Sequence, residues 1–183
     1  MRPATFIALL RGVNVSGHNR VPMSDLRLAC AGLGWTAVQT YIQSGNVLFR
    51  AAASAASLEE ELERLIEREL GLSIPVIVRT AKAWSSCIRG NPFPEASQTE
   101  PNLVMLALSK ATPKQDAAEQ LQARAVGDER IARVGDALWI HFSRGVGRTR
   151  LSPALLDRLA GSPVTMRNWR TALKLEELAQ SMV

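Results

Sequence analysis

The chain has 183 residues, of which 46% are hydrophobic and 21% are charged. These proportions are typical of an ordinary globular protein and exclude a disordered or fibrous chain. The 22 Lys and Arg residues outnumber the 17 Asp and Glu residues, which gives a net charge of +5. This excess favours anionic partners, but the chain has no basic run of the kind found in nucleic-acid-binding tails.

The hydrophobic pattern argues against a membrane protein. No apolar run is long enough to span a bilayer. The apolar stretch from Ala4 to Leu10 ends at Arg11, and no small-residue cleavage site follows it. We therefore expect a cytoplasmic protein without a membrane partner.

Cysteine and histidine are too sparse to indicate a metal centre. The two cysteines, Cys30 and Cys87, lie far apart in apolar helical contexts, and the chain contains two histidines. We expect buried thiols, no disulfide, no metal and no cofactor.

The first 80 residues predict the order strand, helix, strand, strand, helix, strand. The second helix should begin with a capping box formed by Ser57 and Glu60, and Ser44-Gly45 marks a hairpin. Periodicity and turn residues place the six elements at 5–10, 22–34, 36–42, 46–49, 57–71 and 74–79.

The same order recurs after a linking helix at 81–89 and the loop Asn91-Pro92-Phe93. The predicted elements are a strand at 103–108, a helix from Thr112 to Gly127, strands at 130–134 and 138–142, a helix from Ser152 to Gly161, and a strand at 164–166. A C-terminal helix follows. The recurrence is one of element order and not of residues.

This order predicts an α+β fold with two tandem ferredoxin-like βαββαβ subdomains, each with an antiparallel sheet, and a C-terminal helix. Residues 1–80 would form the first subdomain and 81–100 the linking helix and loop. Residues 101–183 would form the second subdomain with the C-terminal helix.

Four segments carry a family resemblance: Leu9–Gly17, Tyr41–Val47, Asn91–Phe93 and Thr165–Trp169. In this order they resemble the LLRG-x-NVGG, Y-[IL]-x-SGNV, NPF and T-x-RNW segments of a bacterial family, domain of unknown function sixteen-ninety-seven. The resemblance implies paired ferredoxin-like subdomains. It supplies no catalytic residues, because none is established for the family.

The loop after the first strand is a candidate anion site. Gly12 and Gly17 have the glycine spacing of a phosphate-binding loop, but His18 and Asn19 follow where Lys and Ser or Thr should stand. ATP hydrolysis is therefore not expected. A weaker anion nest remains open, with nearby charge from Arg11, His18 and Arg20, and so does the alternative that the glycines only let the loop turn.

Two later segments carry further arginines. Ser143–Arg150 contains Arg144, Arg148 and Arg150 beside glycines, which suits either a phosphate-bearing ligand or a solvated loop. In the last segment, Asn168 suits a helix cap and Trp169 a core anchor. Arg167 suits a ligand, a buried carboxylate partner or an exposed position.

Three functional hypotheses follow, and a binding protein is preferred to an enzyme. The first is binding of a phosphate-bearing ligand, nucleotide or nucleic acid where the two Gly/Arg loops approach each other. Its hypothetical ligand-binding residues are Arg11, Gly12, Asn14, Gly17, Ser44, Asn46, Arg144, Arg148, Arg150, Arg167 and Asn168. The second is a phosphohydrolase-like enzyme in which Arg11 binds phosphate and Asn46 orients water. The third is a protein-interaction module that uses sheet edges or an exposed apolar face.

Overall fold

The structure is a computed structural model and describes residues 2–15, 17 and 19–182. In the first half the elements are β1 (Ala4–Leu10), α1 (Met23–Ala31), β2 (Thr36–Tyr41), β3 (Asn46–Ala51), α2 (Ala55–Leu70), β4 (Val76–Thr80) and α3 (Ala81–Arg89). The second half contains α4 (Pro94–Thr99), β5 (Val104–Ser109), α5 (Ala117–Gln122), β6 (Arg130–Val134), β7 (Ala137–His141), a short 3-10 helix (Val146–Arg148), α6 (Pro153–Ala160), β8 (Val164–Asn168) and α7 (Trp169–Gln180).

The first sheet has the strand order β2-β3-β1-β4, and every neighbouring pair is antiparallel. Helices α1 and α2 contribute Leu26, Leu62 and Ile66 to the same buried cluster as Phe6 and Phe49 of the sheet. Alternate strand residues point to this helix-covered face, as the two-residue period of a strand requires. The arrangement confirms the predicted ferredoxin-like βαββαβ fold.

The second sheet repeats that topology with the order β6-β7-β5-β8, again antiparallel throughout. Its core joins Ala107 and Ile140 of the sheet to Leu121 of α5 and Leu156 of α6. Both halves therefore have the same architecture, although their residues do not repeat.

The sequence predicted the end of α2 and both ends of α6 correctly, but it misplaced the start of α2. Helix α2 begins after Ser54, whose hydroxyl accepts the N–H of Ser57 at 3.2 Å, so the predicted Ser57 cap was wrong by one turn. Gly71 ends α2 at φ +65°, as predicted. Helix α6 is capped by Ser152 and ended by Gly161, also as predicted.

The chain divides into two compact units, Met1–Trp84 with Leu175–Val183, and Ser85–Lys174. Each unit contains one of the two sheets. No helix within the described residues is long and apolar enough to cross a membrane.

The outer edge of β4 is closed by side chains. The backbone N–H groups of Val76 and Val78 each donate to a carboxylate of α2, from Glu63 and Glu59 respectively, at 2.9 Å. The carbonyl of Val78 accepts Nη1 of Arg79 at 2.9 Å. Glu59 is thus buried against the sheet edge.

The second sheet closes both of its edges in a similar way. On β8, the N–H of Val164 donates to Asp157 at 2.9 Å, and the carbonyl of Met166 accepts Nη1 of Arg167 at 2.8 Å. On β6, the side-chain amide of Gln122 accepts the N–H of Ile131 at 2.8 Å and donates to the carbonyl of Glu129 at 2.9 Å. Such contacts prevent an edge strand from pairing with another chain.

Candidate functional site

The loop after β1 is held together by the side chain of Asn14. Its Nδ2 donates to the carbonyls of Val21 at 3.0 Å and Gln43 at 2.7 Å, and its Oδ1 accepts the N–H of Val21 at 2.9 Å. Asn14 has φ +55°, a left-handed conformation that asparagine tolerates better than most residues. The conformation is maintained because these bonds join the two ends of the loop to the β2–β3 hairpin.

The predicted glycines of this loop lie in left-handed turns. Gly12 has φ +63° and Gly17 has φ +80°, and a β-carbon on either would meet no atom within 4 Å. Asn19 closes the loop by donating from Nδ2 to the carbonyl of Gly12 at 3.1 Å. The geometry thus supports the alternative that these glycines let the loop turn. His18, a predicted contributor to an anion nest, lies outside the described residues, as does Ser16.

The β2–β3 hairpin packs directly against this loop. The N–H of Leu10 donates to the carbonyl of Gly45 at 2.8 Å. Gly45 has φ +77°, and a β-carbon built on it would lie 2.5 Å from Cγ2 of Val13 and 2.8 Å from Cβ of Leu10. Only glycine fits this contact. The structure therefore brings together the predicted residues that follow β1 and those that precede or begin β3.

Asn46 contributes to the hairpin rather than to an open surface. Its side chain is fully buried, and Nδ2 donates to the carbonyl of Tyr41 at 2.9 Å and to Oγ of Ser44 at 3.0 Å. Both amide hydrogens are used, because a primary amide carries two. Arg11 is half-buried at the start of the loop. Its backbone N–H donates to the carbonyl of Pro75 at 3.0 Å.

Two predicted arginines of the second unit line one hollow of about 150 Å³. Arg144 and Arg148 share its wall with two glycines and a carboxylate, and its lining residues are Val126, Gly127, Glu129, Arg144, Gly145 and Arg148. Nη2 of Arg144 lies 3.2 Å from Oδ2 of Asp128, and both side chains are mostly exposed. Arg150 is exposed and does not line this hollow.

Glu129 is the buried carboxylate of the hollow. Burial opposes its ionisation, but hydrogen bonds from the backbone N–H of Gly127 and from the Thr149 hydroxyl outweigh burial and hold the pKa of Glu129 below its usual value. The Gly127 N–H lies 2.7 Å from Oε2. The carboxylate thus orders the loop on which the two arginines lie.

Arg167 and Asn168 have structural roles at the end of β8. Arg167 is buried, so surface exposure was the wrong alternative, and Nη1 donates to Oγ1 of Thr165 at 3.0 Å. Burial lowers the pKa of Arg167 to about 10, which leaves it charged at neutral pH. Asn168 caps α7 by accepting the N–H of Thr171 at 2.9 Å, as predicted, and the ring of Trp169 lies 5.8 Å from that of Trp139.

Sequence reasoning missed a polar cluster around His141 on β7. Nε2 of His141 lies 2.9 Å from Oε2 of Glu100, and Nδ1 lies 3.2 Å from Nη2 of Arg130. The guanidinium of Arg130 also stacks over the Phe93 ring at 5.0 Å. Because arginine only donates, Nδ1 accepts and Nε2 carries the proton. No spacing signal could have joined residues 41 positions apart.

The first-strand loop and the Arg144–Arg150 loop belong to different units. Their predicted approach stays a prediction.

Two ferredoxin-like sheets in one chain, each with helices on one face, define the class as a double ferredoxin-like α+β protein. A sequence model described as "Protein of unknown function (DUF1697)" matches residues 4–139, and the chain belongs to this family. A conserved bacterial protein from Streptococcus pneumoniae, known from its solved structure, is 22% identical with a TM-score of 0.76. The alignment covers 97% of this chain and 99% of that one. At this identity the likeness shows the fold alone. No curated protein matches the chain.

Proposed function

We propose that the protein binds a phosphate-bearing ligand, a nucleotide or nucleic acid, through its glycine- and arginine-containing loops. The observation that carries the proposal is the placement of Arg144 and Arg148 on one small hollow beside Gly127 and Gly145. Guanidinium groups chelate phosphate oxygens, and glycines let the backbone approach them closely.

The arginines of this hollow are available to a ligand. Arg148 is exposed and has no ion pair within residues 2–15, 17 and 19–182, and the same holds for Arg150, which lies outside the hollow on the same loop. Arg144 is paired with Asp128, but an ion pair this exposed contributes no more than about 1 kcal/mol. A phosphate that binds two guanidiniums can displace such a pair.

The carboxylate inside the hollow is held in place by hydrogen bonds from its own loop. The carboxylate of Glu129 accepts the N–H of Gly127 and the hydroxyl of Thr149, so its lone pairs face the loop that it orders. We infer that Glu129 positions the arginines, and that the ligand contacts the guanidiniums.

The direct test is fluorescence anisotropy of labelled single-stranded oligonucleotides, with unlabelled nucleotides as competitors, at about 50 mM and about 200 mM salt. We expect salt-sensitive binding that R148A weakens several-fold and that R144A/R148A abolishes. The matched control is R64A, which removes the same charge from an exposed arginine of α2. Absence of binding, or equal loss in R64A and R148A, would reject the proposal.

The burial of Asn46 does not favour the phosphohydrolase alternative, because a water-orienting amide must reach solvent and both amide hydrogens of Asn46 are already bonded within the hairpin. A phosphatase screen with R11A as the comparison variant tests it independently.

A further inference from the structure

The four sheet edges of this protein differ in whether side chains bond their outer backbone groups. Side chains occupy outer backbone groups of β4, β6 and β8, as described above. The remaining edge is β2, at the end of the first sheet.

The register fixes these groups. The Leu10–Gly45 bond makes Gly45 and Val47 face β1, so Asn46 and Leu48 face β2. Their partners on β2 are Tyr41 and Gln39, which leaves the N–H and C=O groups of Val38 and Thr40 on the outer side. The same alternation places Val76, Val78, Val164 and Ile131 outward on their strands, where the observed side-chain contacts are found.

No such contact protects β2. Within the described part of the chain, no side chain bonds the outer backbone groups of Val38 or Thr40. The strand Thr36–Tyr41 also has no charge and no proline, the two residue features that commonly prevent edge pairing. A bulge between Thr36 and Gln39, with Ala37 at φ +52°, limits the regular pairing with β3 to residues 39–41 and leaves Val38 beside the bulge.

We propose that this edge pairs with the β2 strand of a second copy of the chain, antiparallel and around a twofold axis at Gln39. Val38 then lies opposite Thr40 of the second copy, and each such pair exchanges both backbone hydrogen bonds. The segment is self-complementary because it is uncharged, so an identical strand meets no repulsion, and the two Gln39 amides can bond each other across the axis.

The second copy is the occupant that the chain itself indicates. Val38 and Thr40 lie on the same face as Val47, the helix-covered face, so pairing extends the apolar surface of that side. A contact of this length buries little area, and we expect a weak, concentration-dependent dimer.

The test is sedimentation velocity of the full chain over a concentration series that reaches about 1 mM. We expect wild type to dimerise reversibly. The variant Q39K should stay monomeric, because two like charges then meet at the axis, and Q39E should behave alike. An equimolar mixture of Q39K and Q39E should restore the dimer. The matched control is Q120K, on helix α5, which should leave dimerisation unchanged.

The alternatives are distinguished by the same series. A monomer at every concentration, or a dimer that Q39K leaves intact, overturns the proposal. Circular dichroism of Q39K tests whether the loss of the dimer arises from unfolding. We expect the wild-type spectrum, because Gln39 is exposed and its substitution removes no core contact. Thr40→Pro provides a second variant that removes one outward N–H and leaves the bonds to β3 in place.

Discussion

Gly45 touches Val13: a β-carbon on Gly45 would lie 2.5 Å from Cγ2 of that valine. The contact joins the hairpin between β2 and β3 to the loop after β1. It packs Gly45 of the segment Tyr41–Val47 directly against Val13 of the segment after β1.

Gly45→Ala should therefore destabilise the protein more than an alanine at an open glycine. Overpacking adds about 1–3 kcal/mol to the roughly 1–2 kcal/mol cost of a left-handed alanine. The control is Gly135→Ala, at φ +58° with no atom near the added carbon. Urea unfolding measures both. If Gly45→Ala and Gly135→Ala lower the free energy of unfolding equally, the contact with Val13 does not contribute to the cost of Gly45→Ala.

Asn14→Ala should cost about 2 kcal/mol more than Asn19→Ala. Both residues have positive φ, so the backbone cost is shared and the difference reports hydrogen bonds. Asn14 makes three backbone bonds and Asn19 makes one, each contributing about 1 kcal/mol net. The measurement is the free energy of unfolding in urea. Similar losses in the two variants would contradict the bracing role of Asn14.

Gln122→Ala should open the β6 edge and promote self-association. The substitution leaves the N–H of Ile131 and the carbonyl of Glu129 without their side-chain partner. Light scattering at increasing concentration detects the effect. Gln120→Ala, on the same helix, removes only a contact with Asp116 and should remain like wild type. Unchanged scattering in both variants would show that Gln122 does not protect this edge.

Glu129 gives the stability a specific pH dependence. Its pKa in the folded chain lies below the ordinary value of 4.5, so the ionised carboxylate stabilises the fold above about that pH. The contribution is lost as the pH falls through the lowered pKa. The stability gap between wild type and Glu129→Gln should therefore be large at pH 7 and shrink in acid. Thr149→Val removes one of the hydrogen bonds to Glu129. In that variant, Glu129→Gln should therefore cost less free energy of unfolding at neutral pH than it does in the wild type. A gap that does not change with pH would contradict this assignment.

Much of the fold could be predicted because its signals are local. Gly71 and Gly161 end helices in left-handed geometry, and short apolar or β-rich runs bounded by turn residues marked the strands. The cap of α2 was misplaced because Ser54 and Ser57 are both suitable hydroxyls, and only the path of the connector after β3 selects Ser54.

The sites were harder to predict because they depend on contacts distant in sequence. Glu59 looks like any carboxylate on an amphipathic helix, and only the sheet register turns it toward Val78. His141 and Glu100 are likewise joined by the pairing of β5 with β7, which brings the end of β7 close to the residues before β5. In contrast, Arg144 and Arg148 could be grouped from sequence, since they lie four positions apart on one loop.

The most direct measurement of the proposed function is the salt dependence of oligonucleotide binding for wild type, R148A and R64A. The logarithm of the association constant should fall linearly with the logarithm of salt concentration, since each phosphate contact releases counterions. We predict that R148A has a shallower slope than wild type by about 0.7–0.9, one contact, and that R64A keeps the wild-type slope. If R148A and wild type show the same slope, Arg148 contacts no phosphate and the proposed site is wrong.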